Sequence, residues 1–230
     1  MYGFYYYDIT SIIIMGISLV LTLCAQFYVS GSYKKYKRVK NKTGLSGFET
    51  ARKILDTNGL ENVHIVETSG ELTDHYDSKR KVIRLSKEIF NGTTIASSSV
   101  AAHEVGHAIQ DKVGYGFMRV RSFILPVVNL STKLGYFAIV IGFIFGLLDL
   151  AYIGIFLLAA MLVFQLITLP VEFNASKRAR EELARLNLLE TSEISGTRSM
   201  LNAAAMTYVA SLVTTILELL RLFLIARDRD

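Results

Sequence analysis

The sequence predicts an α+β membrane protein, mostly helical, with transmembrane helices and a small water-facing domain that carries a short antiparallel β-sheet. Three observations predict it. Hydrophobic residues make up 51% of the 230, with only two prolines, and a mean hydropathy of +0.37 is too high for an ordinary soluble domain. Apolar stretches run without a charge for about the length of a bilayer crossing. Between the first and second of them, apolar residues shift from the helical to the strand period.

Residues 9–33 form the first crossing. Ile9 to Tyr33 holds no charged residue, Lys34, Lys35, Lys37, Arg38, Lys40 and Lys42 follow at once, and Met1–Asp8 holds no basic residue. By the positive-inside rule the N-terminus lies outside and the chain enters the cytoplasm after Tyr33. A cleaved signal peptide places its basic residues ahead of the apolar core, so this segment reads as an anchor. The net charge of +5 sits in such flanking clusters, and no helix-turn-helix or aromatic-basic ribonucleoprotein pattern accompanies it, which argues against nucleic acid. Cys24 is the only cysteine; an intramolecular disulfide and a cysteine-rich zinc site are excluded.

Residues 43–121 read as the water-facing domain. Gly47 to Leu60 predicts a helix with Ala51, Ile54 and Leu55 inward, ending near Asn58-Gly59. Val63–Thr68 predicts a strand, and Leu72–Asp77 with Lys81–Ser86 a hairpin across Asp77-Ser78-Lys79-Arg80. A strand in this place can hold an extended peptide by main-chain hydrogen bonds or serve as plain scaffold, the commoner case.

A second helix follows Asn91-Gly92, with Thr93 and Thr94 able to cap it and Val100, Ala101, Val105, Ala108 and Ile109 as a buried stripe. It carries His103-Glu104-Val105-Gly106-His107. Residues four apart on a helix share a face, so both imidazoles reach one metal ion, and Glu104 stands beside them as a general base. Such a motif arises by chance in roughly one of a few hundred chains of this size. Asp111, four residues past His107, either orients that imidazole or is a solvated charge.

Residues 123–171 predict a helical hairpin through the membrane. Leu134–Leu148 and Leu150–Val171 are charge-free, with Asp149-Leu150-Ala151-Tyr152 as the far turn. Basic residues before it (Lys112, Arg119, Arg121) and after it (Lys177, Arg178, Arg180) put both ends on the cytoplasmic side. The hairpin thus returns Glu172 to the side of the histidines, opening a helix over 172–202 just past Pro170. Residues 203–226 form a last apolar helix, interrupted by a Glu218–Arg221 pair, and read as membrane-associated.

Catalytic zinc takes three protein ligands and keeps one position open. Glu172, Asp111, His64, His75, Glu88, Glu181 and Glu182 are the candidates for the third. Glu172 is the strongest, because it stands at the membrane–water boundary on a helix able to pack against the motif helix.

The run His103 to Gln110, followed by Leu169-Pro170-Val171-Glu172-Phe173-Asn174-Ala175-Ser176, resembles the bacterial membrane-bound neutral zinc metallopeptidases of the YugP type. The order of elements matches over nearly the whole chain, including Leu72-Thr73-Asp74-His75-Tyr76. More distantly the chain is similar to the Ste24 and HtpX-like membrane proteases, which are gluzincins. The resemblance implies a zincin-like catalytic domain, one Zn²⁺ per chain held by His103, His107 and Glu172, and Glu104 as the catalytic residue. Gluzincins commonly carry an aspartate four residues after the ligand glutamate; here that position is Ser176, a weaker partner for an imidazole that Asp111 can supplement. Tyr208, His64 and His75 are possible oxyanion donors.

The expected chemistry is metal-assisted peptide hydrolysis on the cytoplasmic face of the bacterial cell membrane, acting on peptides or membrane proteins near the bilayer. Two rivals stand beside it. An intramembrane protease of the site-2 type is disfavoured by the polar flanks of the motif, Ser97–Ser99 before it and Gln110, Asp111 and Lys112 after it. A non-catalytic zinc-binding membrane scaffold has no use for Glu104.

Overall fold

The computed structural model describes residues 9–229; Met1–Asp8, the flank without basic residues, lies outside them. The elements run α1 Ile9–Tyr36, α2 Gly47–Thr57, β1 His64–Thr68, β2 His75–Asp77, β3 Val82–Ser86, α3 Lys87–Asn91, α4 Ile95–Lys112, α5 Gly116–Phe145, α6 Leu148–Arg185 and α7 Thr191–Arg227. They divide into two compact units. One comprises the chain up to Gln26, Val120–Thr168 and everything from Thr207; the other comprises Phe27–Arg119 and Leu169–Met206.

The first unit is helical throughout. By length and composition α1, α5, α6 and α7 can each cross a membrane. Phe123 and Phe156 are each 79% exposed, a cost in water that lipid removes. The backbones of α5 and α6 meet at small residues: a Cβ on Gly135 would come 2.9 Å from Gly154 O, and one on Gly142 would come 2.7 Å from Ala151 N. The turn between these helices sits earlier than the expected Asp149–Tyr152. Gly146 takes φ +67° and the Leu147 N–H bonds Gly142 O at 2.8 Å, a glycine-terminated helix end that frees Asp149 for the favourable first turn of α6.

The second unit holds a core contributed by α2 (Ala51, Ile54, Leu55), β3 (Ile83, Leu85), α4 (Ala101, Val105, Ala108) and the distal part of α6 (Ala179, Leu183). Local chemistry sets the helix starts. Ser46 accepts the Glu49 N–H at 3.2 Å while Glu49 accepts the Ser46 N–H at 2.8 Å, and Thr94 accepts the Ser97 N–H at 3.1 Å. α2 stops at Asn58, followed by Gly59 at φ +63°.

The sheet is mixed rather than purely antiparallel, in the order β1-β3-β2. β2 and β3 form the expected hairpin, with Tyr76 opposite Ile83, whereas β1 lies parallel to β3, with Ile65 opposite Ile83. β3 is the most buried strand and takes the centre. The 69–74 connection therefore passes to the far edge, through left-handed positions at Gly70 (φ 95°) and Leu72 (φ 59°). The expected strand from Leu72 shortens to His75 because the Asp74 carboxylate takes the Ser86 N–H at 2.7 Å, replacing a backbone acceptor.

Two further boundaries differ from expectation. Glu172 does not open a helix: α6 runs unbroken from Leu148 to Arg185 with Pro170 inside it. Likewise α7 continues through 202/203 as one helix of 37 residues.

Candidate metal centre

On α4 the His103 and His107 rings lie edge to face with centroids 4.8 Å apart, one helical turn apart on one face, while Val105 and Ala108 of the same helix point into the core. From α6, Glu172 places Oε2 at 3.3 Å from His103 Nε2 and 3.5 Å from His107 Nε2. These three residues are a metal-capable group among the described residues, their donor atoms all within 4.8 Å of one another. None of the other third-ligand candidates joins them. Glu88 pairs with Lys37, Glu181 with Lys177 and Glu182 with Arg185, while His64 and His75 lie exposed on β1 and β2.

Close approach of α4 and α6 depends on Gly106, inside the motif. A Cβ there would stand 2.6 Å from Ala175 O, and Ala175 is itself fully buried. Gly106→Ala should push α6 away from α4 at a cost of about 1–3 kcal/mol. Lower thermal stability together with weaker zinc binding is the expected result; unchanged stability and zinc binding would show that the helices can separate at no cost.

The turn of α6 that bears Glu172 is anchored from the α4 end. Pro170 has no N–H to give back along the helix, but Tyr115 OH reaches Pro170 O at 3.5 Å and Gln110 Nε2 donates to Val171 O at 2.8 Å. Gln110 also fixes the His107 tautomer. Its amide nitrogen is committed to Val171 O and to Asn174 Oδ1 at 3.0 Å, so its Oε1 faces His107 Nδ1 at 3.0 Å as an acceptor. As a metal ligand through Nε2, His107 would carry its proton on Nδ1 and donate it to Gln110 Oε1.

His103 Nδ1 lies 3.2 Å from Ser176 Oγ, the contact expected for Ser176. Asp111 behaves differently from expectation. It accepts from Tyr76 OH at 2.8 Å and from Lys81 Nζ at 2.5 Å, so it ties α4 to the hairpin and Gln110 takes the place beside His107. The signal for Gln110 in the sequence is its spacing of three residues from His107, on the same face.

Glu104, 7% exposed, makes no side-chain hydrogen bond among the described residues. Burial pushes its carboxyl up, against the pull of His103 and His107. The donor set suits zinc. Two donors held at about 2.0–2.1 Å by a tetrahedral ion stand about 3.3 Å apart, which the two Glu172 contacts match at 3.3 and 3.5 Å within a donor group that spans 4.8 Å. Two imidazoles and one carboxylate also leave a fourth position open.

The family described as "Putative neutral zinc metallopeptidase" matches residues 11–227. The chain belongs to this family. It is also 44% identical over 216 residues to "Putative membrane protease YugP" of Bacillus subtilis (strain 168), covering 93% of this chain and 96% of that protein. No solved structure matches the chain. The zinc metallopeptidase family's description agrees with the His-His-Glu group and, through this relative, with the four apolar helices.

Proposed function

We propose that the protein is a zinc-dependent membrane endopeptidase in which His103, His107 and Glu172 hold the metal and Glu104 is the general base. The observation that carries this reading is the convergence of two Nε2 atoms and one carboxylate oxygen next to a buried carboxyl that has no hydrogen-bond partner of its own among the described residues. Bound there, zinc would supply Lewis acidity, lowering the pKa of a water to about 7 and polarising a carbonyl. Glu104 takes the proton of the attacking water and delivers it to the leaving amine. Gln110 and Ser176 keep both imidazoles turned the right way, and Gly106 keeps Glu172 within reach.

The basic residues after Tyr33 and on both sides of the hairpin support a cytoplasmic site, next to which peptides or membrane-protein segments near the bilayer are the natural substrates. The motif helix packs against a sheet in a mixed polar and apolar core, which disfavours a site inside lipid. Purified protein should carry one zinc per chain, lose hydrolysis of reporter peptides on treatment with 1,10-phenanthroline, and regain it with one equivalent of zinc. Bound zinc without cleavage of any peptide or membrane protein would reduce the protein to a zinc-binding scaffold.

A further inference from the structure

Away from the metal centre, the second unit places two guanidiniums in one groove. Lys177, Arg180 and Glu181 of α6 and Arg198 of α7 line a groove of about 600 Å³, with Ala184 and Ile194 as its apolar wall. Lys177 lies 3.7 Å from Glu181. Neither Arg180 nor Arg198 has a carboxylate in ion-pair contact among the described residues. Burial and the Arg198 charge work against the Arg180 cation while the Glu181 charge favours it, so three cations of the groove, Lys177, Arg180 and Arg198, face the single carboxylate of Glu181 in its lining. A planar guanidinium offers paired N–H donors that match phosphate oxygens.

The surroundings indicate where that phosphate comes from. Arg180 follows the charge-free run that ends at Val171, and Arg198 precedes the apolar stretch that begins at Ala203. Both helices lining the groove are long and apolar enough to cross a membrane, and basic residues flanking such runs meet anionic headgroups. We infer that the Arg180–Arg198 groove binds a phosphate group, supplied by the headgroup of an anionic phospholipid. The apolar wall suits the glycerol end of such a lipid. Nothing in this inference depends on the metal centre.

The test uses the full-length protein in an uncharged detergent, titrated calorimetrically with dihexanoyl phosphatidylglycerol, dihexanoyl phosphatidylcholine or inorganic phosphate. Phosphatidylglycerol should bind at least tenfold more tightly than phosphatidylcholine, and R180Q/R198Q should abolish that difference. R38Q/K40Q removes the same charge elsewhere and should leave it intact, with thermal melting reporting that both variants are folded. Equal binding of the two lipids by the wild-type protein, or undiminished phosphatidylglycerol binding by R180Q/R198Q, would overturn the site. Inorganic phosphate displacing the lipid at equal concentration would keep the anion site and overturn the lipid as its source.

Discussion

Glu104→Gln should leave zinc content and thermal stability intact and slow peptide hydrolysis by about 10²–10⁴-fold, the range over which a positioned base acts. The substitution keeps the shape of a side chain that is 7% exposed and removes only its capacity to accept a proton. Because Glu104 makes no hydrogen bond among the described residues, no partner is orphaned. The amide also avoids burying a charge that its surroundings disfavour. Metal binding is untouched because the ligand atoms belong to His103, His107 and Glu172. Zinc analysis and single-turnover hydrolysis, measured on one preparation, separate the two roles. Wild-type hydrolysis by the Gln variant would remove Glu104 from the chemistry and leave the metal reading standing.

What the sequence made legible was local. The α2 and α4 boundaries follow from side chains within a few residues, Ser46 with Glu49 and Thr94 with Ser97, and the hairpin from alternation around a polar turn. The pairing of the two histidines needs only the helical period. Glu172 was reachable because charge counts put both ends of the hairpin on one side, an argument about parity that requires no tertiary detail.

The rest depends on which elements end up adjacent. The parallel pairing of β1 with β3 reflects burial of Ile83 and Leu85 on both flanks, and nothing in the 64–68 run specifies it. Pro170 reads locally as a helix start, yet Tyr115 and Gln110 hold the turn that follows it, so α6 continues. Asp111 has the better charge for orienting an imidazole, but Tyr76 and Lys81 across the hairpin claim it. Nothing local marks Gly106, whose importance comes from the Ala175 backbone that lies against it.

Glu172→Ala tests the part of the site contributed by α6, and its effect should exceed the about 10–100-fold loss of metal affinity that follows removal of an outer hydrogen-bond partner. Two imidazoles would remain on α4, correctly turned by Gln110 and Ser176, but a two-ligand site loses both charge neutralisation and the tetrahedral constraint. Stability offers a readout independent of turnover. Ligand that binds only the folded state stabilises it in proportion to the logarithm of its concentration over Kd. Added zinc should therefore raise the melting temperature of the wild-type protein and of Glu104→Gln, and leave that of Glu172→Ala where it was. Glu172→Asp is the graded control: a carboxylate drawn back by one methylene from the present 3.3 and 3.5 Å contacts should bind zinc with intermediate affinity. Full zinc occupancy in the Ala variant would mean that another group completes the coordination, and the approach of α6 to α4 would then need a different explanation from the metal.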